Sequence, residues 1–505
     1  MSDNLYALLA GRFPAAPDAP CLILPDGRRV SYAELESQSA RYGNLLIENG
    51  VKPGDRVAAQ VEKSPEALYL YLGCLRAGGV FLPLNPAYQR GEVEYFLNDA
   101  KPGLYVCRPE KLEEAQELAW AARVPLVHDL GSRGDGSLAA AAAEMPDAFA
   151  TVQSAAGDLA AILYTSGTTG RSKGAMLTHR NLAANALVLH RYWGFRPGDV
   201  LLHMLPTFHV HGLFVATHCA LMNGSPMLFE PKFDAPRALR LMREATVFMG
   251  VPTYYVRLLQ EQGLTKEAVA HMRLFISGSA PLLPETFAEF RERTGQTLLE
   301  RYGMTEGGMF TSNPLEGERR GGTVGFPLPG TDVRVVGEND MPLPAGEIGH
   351  IQVRGDNVFA GYWGMPEKTQ EEFTPEGFFR TGDMGRYDAD GYLAIIGRNK
   401  DLIITGGLNV YPKEIEEAID ALPGVAESAV IGLPHPDFGE AVTAVVVRGR
   451  GGEALTAEAI IAELKGRIAG FKVPKAVHFV DDLPRNAMGK VQKNLLRQRF
   501  SARSV

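Results

Sequence analysis

The sequence predicts an α/β fold with a large N-terminal domain, made of two α/β subdomains and a small β-rich subdomain, and a small α+β C-terminal domain. The 505 residues exceed the roughly 250–300 at which a single core stops growing. Short apolar runs alternate with helical patterns until about residue 330, as in sheets with much parallel pairing. Beyond that point the strands are short, bounded by Gly and Pro, and lack long helices. We therefore expect domains at 1–398 and 399–505, with the β-rich part at about 330–398.

The first elements illustrate the α/β pattern. The apolar run CLIL at 21–24 predicts a strand. Ser31 and Glu34 have capping-box spacing, which predicts a helix start, and Gly50 is placed to end that helix. RVAAQV at 56–61 predicts another strand, and a helix should run from about Pro65 to Ala77. Further strands are predicted at 159–165, 200–206, 247–252 and 273–278.

The C-terminal third has a different pattern of predicted strands and helices. Strands are predicted at 332–336, 349–355 and 392–397 in the β-rich part. After a boundary near Arg398–Asp401, the pattern returns to α+β. Helices are predicted from Pro412 to Ala421 and from Thr456 to Ala469, with strands at 428–433 and 441–449.

Composition narrows the class of function. A formal charge of −8 and a pI near 5.9 argue against binding a phosphate backbone, so no nucleic-acid partner is expected. The four cysteines lie far apart and form no C-x-x-C pair, so neither a disulfide framework nor a zinc site is indicated. The N-terminus does not resemble a secretory signal, and no run approaches the ~20 apolar residues of a membrane span. We expect a cytoplasmic protein without a membrane partner.

The strongest local signal is the segment YTSGTTGRSKG from Tyr164 to Gly174, which follows the apolar strand LAAIL. Small residues from Thr165 to Gly170 can wrap backbone N–H groups and hydroxyls around a polyphosphate, and Lys173 adds a positive charge. The spacing differs from the Walker pattern. The segment therefore predicts a phosphate loop of another kind.

This loop resembles the phosphate loop of the adenylate-forming superfamily, which includes acyl-CoA synthetases, luciferases and nonribosomal-peptide adenylation domains. Further signatures of that superfamily follow in order across nearly the whole chain. They are FHVHG at 208–212, SGSAP at 277–281, YGMTE at 302–306, TGD at 381–383, GRNKDLIITGGLNVYPKEIE at 397–416 and PRNAMGK at 484–490.

The resemblance implies a nucleotide site that binds ATP and AMP. It places Tyr302 at the adenine, Thr305 at the phosphates, and Asp383 and Arg398 at the ribose. On local sequence alone, YGMTE is typical of a turn before a helix, and Asp383 follows a Thr-Gly turn. The remaining residues implied at the nucleotide are Thr165, Ser166, Gly167, Thr168, Thr169, Gly170, Lys173, Ser279, Ala280 and Pro281.

The resemblance also implies the reacting groups and cofactors. Lys490, Glu306, Thr305 and His209 correspond to catalytic positions, and Thr165 and Glu306 correspond to Mg²⁺ positions. A hard cation between carboxylate and phosphate oxygens suits this set. The ammonium of Lys490 would orient the acid and offset charge as pyrophosphate leaves. ATP, Mg²⁺ and the co-substrate coenzyme A are expected, and no Ser-His-Asp triad or nucleophilic Cys is required.

Two further segments match the mobile part of the superfamily's cycle. Lys400 corresponds to a hinge about which a small mobile C-terminal domain rotates after adenylate formation. Gly406 and Gly407 correspond to the loop brought to the thiol tunnel for the thioester step. In relatives the lysine matching Lys490 can be acetylated, which would remove its charge, so a lysine acetyltransferase is an expected partner.

The acyl site is expected to hold His209, His211, Ser279, Arg301 and Met304. Arg301 precedes Tyr302, where relatives handling hydrophobic acids usually carry a small or neutral residue. Its guanidinium could bind a second carboxylate in bidentate fashion. Arg301 could instead form a salt bridge to Glu300 or Glu306, or turn outward, and His211 could be a structural histidine.

Several segments are similar to malonyl-CoA synthetases in particular: ERYGMTE, FHVHGLFV, RLFISGSAPL and DDLPRNAMGKVQK. The expected reaction joins malonate to coenzyme A through malonyl-AMP, releasing AMP and pyrophosphate. The residues Gly308-Met309 depart from that subgroup, which leaves open methylmalonate or another short acid. The motifs are also compatible with an adenylation enzyme that loads a carrier protein and with luciferase-like oxygenation.

Overall fold

The computed structural model describes residues 3–165, 172–405, 408–435, 438–465, 467–468, 470–486 and 489–501. Its strands, in chain order, are β1 Pro20–Ile23, β2 Arg29–Ser31, β3 Arg56–Ala59, β4 Val80–Pro83, β5 Leu104–Cys107, β6 Val127–Asp129, β7 Leu159–Thr165, β8 Lys173–Thr178, β9 Leu201–His203, β10 Met227–Phe229, β11 Val247–Gly250, β12 Leu274–Ser277, β13 Leu299–Met304, β14 Gly308–Ser312, β15 Phe326–Pro327, β16 Thr331–Val336, β17 Gly349–Gly355, β18 Phe379–Tyr387, β19 Leu393–Arg398, β20 Ile403–Thr405, β21 Leu408–Val410, β22 Val425–His435, β23 Gly439–Arg448 and β24 Ala476–Val480.

The α-helices lie between these strands. They are α1 Leu5–Ala10, α2 Tyr32–Glu48, α3 Pro65–Arg76, α4 Arg90–Ala100, α5 Leu112–Ala122, α6 Ser137–Ala143, α7 His179–Tyr192, α8 His218–Asn223, α9 Ala235–Leu241, α10 Pro252–Gln260, α11 Pro284–Thr294, α12 Pro366–Glu372, α13 Pro412–Asp420, α14 Ala457–Lys465 and α15 Lys493–Ser501. Within the described ranges, no helix has the length and apolar character needed to cross a membrane.

The N-terminal part is organised around two α/β sheets. In the described residues, one sheet has the order β15-β14-β13-β12-β11-β9-β10-β1-β2 and the other β6-β5-β3-β4-β7-β8. Pairing is parallel from β1 through β10, β9, β11 and β12 to β13, and from β6 to β7. Strands such as β7 are buried on both faces, as expected when helices cover a parallel sheet. The mixed α/β architecture is therefore confirmed.

Helix ends follow the local sequence. The Ser31 hydroxyl accepts a hydrogen bond from the Glu34 N–H at 3.0 Å, which caps α2, and α2 ends at Glu48, two residues before Gly50. Ser64 caps α3 in the same way, with Pro65 in the first turn. Each such cap contributes about 1 kcal/mol of helix stability.

Two smaller sheets follow. The β-rich part forms the antiparallel order β16-β17-β18-β19, and the C-terminal part pairs β21-β20-β23-β22 with β24 beside β23. The C-terminal sheet packs α13 and α14 over one core and α15 over another. One predicted boundary is wrong: α14 ends at Lys465 rather than near residue 469. Lys465 is followed in the sequence by Gly466, a poor helix former.

Candidate active site

Asp383 and Arg398 face each other on neighbouring strands of the β-rich sheet. They are cross-strand partners in β18 and β19, and Arg398 Nε lies 3.0 Å from Asp383 Oδ1. The Tyr302 hydroxyl donates to Asp383 Oδ2 at 2.5 Å. The Asp383 charge is the largest cause of the raised pKa of Arg398. The structure thus brings together three residues predicted at the nucleotide.

The expected setting of Asp383 was wrong in one respect. Asp383 lies inside β18, rather than after a turn, although Gly382 before it has a left-handed φ of +71°. A residue with this backbone bends the strand locally without ending it. The Asp383 side chain is consequently only 6% exposed and is fixed against its neighbours.

Thr305 and Glu306 lie in the turn of a hairpin, which corrects the expectation of a turn before a helix. The hairpin joins β13 to β14, with Met304 opposite Gly308. Gly303 is needed at its base because a Cβ there would lie 1.9 Å from the Gly308 carbonyl oxygen. The Met304, Thr305 and Tyr302 side chains are partly buried, while Glu306 is buried.

Tyr362 is the hydrogen-bond partner of Glu306. Its hydroxyl donates to Glu306 Oε1 at 3.1 Å, and the Phe359 N–H donates to the Glu306 carbonyl at 2.8 Å. Burial raises the pKa of the Glu306 carboxyl, and hydrogen bonds from its own backbone and from Tyr362 oppose the rise. Sequence reasoning missed Tyr362, since the contact spans 56 positions of the chain.

Thr165 and Lys173 close the two ends of the predicted phosphate loop. They are cross-strand partners at the end of β7 and the start of β8, and the Thr165 hydroxyl donates to the Lys173 carbonyl at 3.5 Å. The predicted nucleotide residues between them lie outside the described residues: Ser166, Gly167, Thr168, Thr169 and Gly170. Both loop ends are therefore held by the sheet.

The Lys173 side chain reaches toward Glu306. Its ammonium lies 3.9 Å from the centre of the Tyr362 ring and 3.6 Å from Glu372 Oε1 in α12. Glu372 was not predicted, and no local pattern marks it. Tyr362 thus contacts both the phosphate-loop lysine and the carboxylate of Glu306.

These residues fit a magnesium ion. Mg²⁺ usually takes one or two carboxylates and completes its shell with phosphate oxygens and water. Glu306 offers a buried carboxylate, and Thr165 a partly buried hydroxyl. In the described part of the chain, no group of three or more His, Cys, Asp or Glu residues could hold a metal alone. The set therefore suits a metal that arrives with a polyphosphate.

The segment from Ser277 to Pro281 passes beside His211. Ser279 has a left-handed φ of +76°, unusual for a residue with a Cβ, and its hydroxyl lies 3.2 Å from His211 Nδ1. Ala280 is partly buried and Pro281 is exposed. Strained backbone of this kind concentrates at ligand sites.

His209 and His211 lie at the start of a short π-helix, His211–Thr217. Burial, followed by the charges of Lys490 and Arg301, lowers the pKa of His209 to about 3. Burial and Arg301 also lower the pKa of His211. Nδ1 of His209 and Nε2 of His211 have no hydrogen-bond partner among the described residues. Both rings are therefore neutral, and each keeps one buried nitrogen without a hydrogen-bond partner in the described part of the chain.

Arg301 is buried beside these two histidines. The residue is 3% exposed, and Nε and Nη2 find no partner in the described structure. The structure shows neither an outward turn nor, in the described residues, an ion pair with Glu300 or Glu306. Burial lowers the pKa of Arg301 to about 9, so it remains charged at neutral pH.

Lys490 reaches the same region from the C-terminal part. Its loop is closed by hydrogen bonds to Asn486: the Lys490 N–H donates to Asn486 Oδ1 at 3.0 Å, and the Lys490 carbonyl accepts from the Asn486 N–H at 2.9 Å. Burial and the charge of Arg398 lower the pKa of Lys490 to about 8, while Asp383 and Glu306 oppose the shift. Lys490 therefore shares one electrostatic environment with the nucleotide and acyl residues.

The predicted hinge residue, Lys400, follows the last strand of the β-rich sheet. Lys400 is exposed in a 3-10 turn, Asn399–Asp401, directly after β19. Gly406 and Gly407 lie outside the described residues. Helix α13 contacts the β-rich sheet, because the Lys413 ammonium donates to the Ile395 carbonyl in β19 at 2.6 Å.

Two family models match successive parts of the chain. Residues 11–363 match the family described as AMP-binding enzyme, and residues 414–490 match the AMP-binding enzyme C-terminal domain. The chain is similar to ATP-bound MatB from Rhodopseudomonas palustris, with 56% identity, a TM-score of 0.97 and coverage of 99% of both chains.

Two relatives differ in the acid that their names give. A malonate–CoA ligase of Arabidopsis thaliana is 36% identical, and the alignment covers 94% of this chain and 85% of that protein. A feruloyl-CoA synthase of an Amycolatopsis species is also 36% identical, with 94% of both chains covered. Both names describe ligases that form a CoA thioester, so the relatives agree on the reaction type but not on the acid.

Proposed function

The chain belongs to the AMP-binding enzyme family and is an ATP-dependent acyl-CoA synthetase, and on this basis we propose that its acid is malonate. The reaction forms malonyl-CoA from malonate, ATP and coenzyme A through malonyl-AMP, with release of AMP and pyrophosphate. The observation that carries the choice of acid is the buried guanidinium of Arg301, whose Nε and Nη2 have no hydrogen-bond partner among the described residues. A charge in such a place costs several kcal/mol unless a ligand pairs with it.

The acyl site favours a short acid with a second negative charge. Arg301 lies near His209 and His211, whose neutral rings can donate or accept hydrogen bonds without adding charge. A feruloyl group would set an aromatic ring against the guanidinium and leave it without a carboxylate partner. A malonate carboxylate instead matches its planar pair of N–H donors. Ser279 and Met304 complete the proposed acyl set.

Nucleotide binding is assigned to the residues around Asp383. Asp383 and Arg398 would hold the ribose hydroxyls and Tyr302 would face the adenine, with Ala280 and Pro281 beside it. Thr165 and Glu306 would hold Mg²⁺, which supplies charge neutralisation at the phosphates when bound. Thr305 and Lys173 would bind phosphate oxygens, together with the loop from Ser166 to Gly170.

Lys490 would act in the first half-reaction. Its ammonium lies in the electrostatic field of Glu306 and Asp383, which suits a group that orients the acid carboxylate against the α-phosphate. The carboxylate oxygen forms a bond to that phosphorus as the bond to pyrophosphate breaks. The thiolate of coenzyme A then forms the thioester as AMP leaves.

Rotation about Lys400 would separate the two steps. The proposed domains, 1–398 and 399–505, meet at this exposed residue. Rotation would withdraw Lys490 and bring Gly406 and Gly407 to the thiol. Acetylation of Lys490 would block the first step by removing its charge, and mass spectrometry of the protein from its host tests for the modification.

The test is a panel of C2 to C6 mono- and dicarboxylic acids with ATP and coenzyme A, followed by AMP release. The proposal expects malonate to give the highest kcat/KM. Preference for a monocarboxylic acid would refute it. Consumption of free coenzyme A in the same assay distinguishes thioester formation on coenzyme A from loading of a carrier protein.

A further inference from the structure

Lys63 is a buried lysine outside the residues assigned so far. It follows β3 and precedes α3, and only 9% of the residue is exposed. Its ammonium lies 4.3 Å from the centre of the Phe229 ring. Buried lysines are rare unless their charge is satisfied. The role of Lys63 is therefore inferred from the groups that accept its hydrogen bonds.

Three acceptors surround the Lys63 ammonium. They are His203 Nδ1 at 2.8 Å, the His203 carbonyl at 2.9 Å and the Leu205 carbonyl at 3.1 Å. Burial lowers the pKa of Lys63, and the three acceptors oppose this shift because together they bind all three N–H donors of the ammonium form. Lys63 thus joins the six-stranded sheet that contains β3 to the segment that leaves β9 of the other sheet.

His203 links Lys63 to the Gly212 carbonyl. The Gly212 carbonyl, 3.0 Å from Nε2, can only accept, so the ring proton lies on Nε2 and Nδ1 accepts from Lys63. The Thr217 hydroxyl donates to the same carbonyl at 2.9 Å. His203 is 1% exposed, and burial lowers its pKa, with the Lys63 charge adding to the shift. The neutral tautomer is therefore held in place.

These contacts close a loop that carries the two histidines of the acyl site. The loop runs from Met204 to Gly212. Lys63 donates to the Leu205 carbonyl near its start, and His203 Nε2 donates to the Gly212 carbonyl at its end. A Cβ on Gly212 would lie 1.9 Å from the Pro206 carbonyl oxygen, so the two ends are in direct contact. The positions of His209 and His211 depend on this closure.

We propose that Lys63 and His203 form a positioning pair that sets the acyl-site loop and thereby the recognition of the acid. The pair does not touch the substrate and acts through His209 and His211. The inference rests on the proposed function, because the loop matters for the acid only if that pocket holds it. Displacement of a site group by about 1 Å can lower activity about 100-fold.

The test compares full-length variants by three measurements: kcat and KM for malonate, the ATP dissociation constant by calorimetry, and the melting temperature. Lys63→Met removes the donors and keeps the apolar stem. His203→Asn keeps an acceptor near the position of Nδ1 for Lys63 and removes the donor to the Gly212 carbonyl. The variant therefore breaks the contact with the end of the loop while the buried ammonium keeps its acceptors. Lys52→Met, at an exposed lysine, and His190→Asn, at a partly buried histidine in the last turn of α7, are the controls.

A positioning pair predicts that His203→Asn and Lys63→Met lower kcat/KM for malonate about 10- to 100-fold while the ATP dissociation constant is unchanged. Unchanged malonate kinetics in His203→Asn would overturn the inference. The inference would also be overturned if malonate use, ATP binding and the melting temperature all fell together in the variants. That pattern would indicate that the pair has a structural role only. If Lys63→Met does not fold, His203→Asn decides alone. If the wild type prefers another acid, the proposed function fails, and the variants are measured with that acid.

Discussion

The guanidinium of Arg301 lies directly against the backbone of Gly278. A Cβ placed on Gly278 would stand 2.4 Å from Arg301 Cζ and 2.6 Å from Nε. Gly278 directly follows β12, and Arg301 lies within the neighbouring parallel strand β13. The guanidinium that we propose to select the acid is therefore held in a slot that only glycine leaves open.

The first prediction concerns that slot. Gly278→Ala should displace the guanidinium and lower kcat/KM for malonate about 100-fold, because small misplacements at a reacting centre have effects of this size. ATP binding, measured by calorimetry, should not change. Gly91→Ala is the control, since a Cβ there meets nothing within 4 Å. A Gly278→Ala enzyme with wild-type malonate kinetics would refute the slot.

The second prediction separates activity from stability at Arg301. Arg301→Met should lower kcat/KM for malonate by at least about 30-fold, since losing one partner of a buried charge pair costs about 2–5 kcal/mol. The same change should raise the melting temperature of the ligand-free protein, because it removes a buried charge without a partner. Arg291→Met, an exposed site in α11, should do neither. A lower melting temperature in Arg301→Met would contradict the unpaired state of the guanidinium.

The third prediction follows from the pKa of Lys490, which is lowered to about 8 in the free enzyme. The ammonium form is needed for adenylation, so kcat/KM for ATP should fall as the pH rises through about 8, because kcat/KM reports groups of the free enzyme. Lys490→Ala should lose adenylate formation far more than thioester formation from supplied malonyl-AMP. Equal loss in both half-reactions would contradict the assignment of Lys490 to the first step.

The fourth prediction concerns the Tyr362 hydroxyl, which donates to Glu306. Burial already raises the pKa of the Glu306 carboxyl, and loss of this hydrogen bond should raise it further. A proton would then compete more strongly with Mg²⁺ for the carboxylate. Tyr362→Phe should raise the Mg²⁺ concentration that half-saturates ATP binding about tenfold, since a hydrogen bond to a charged group contributes about 1.5 kcal/mol or more. Calorimetry at a series of Mg²⁺ concentrations measures it.

The control for Tyr362→Phe is Tyr387→Phe. Tyr387 donates to the Val333 carbonyl at 3.0 Å within the β-rich sheet and is partly buried, whereas Tyr362 is buried. Its loss should leave the Mg²⁺ requirement unchanged. The same shift in both variants would show that Tyr362 acts on stability alone.

Local sequence predicted the elements that depend on local chemistry. The strand at 159–165 follows from a run of apolar residues, and the cap at Ser31 from a hydroxyl three residues before Glu34. The wrong expectations came from ambiguous local signals. YGMTE has no residue that distinguishes a turn before a helix from a hairpin, and Thr381-Gly382 fits either a turn or a bent strand.

The contacts that shape the site could not be predicted, because they join distant parts of the chain. Tyr362 meets Glu306 across 56 positions, and Lys63 meets His203 across 140. A tyrosine or lysine in such a segment carries no sequence mark of its partner. The resemblance supplied the residues that the family shares, and the structure shows the side chains that hold them.

Binding of a second carboxylate by Arg301 is tested most sharply by comparing malonate with its monomethyl ester in wild type and Arg301→Ala. The ester keeps the reacting carboxylate and the approximate size of the acid but removes the distal charge. We expect the wild type to prefer malonate by at least about 30-fold in kcat/KM, the loss expected for an unpaired buried charge, and the preference to disappear in Arg301→Ala. Equal use of both acids by the wild type, or an unchanged preference in the variant, would contradict the role of Arg301.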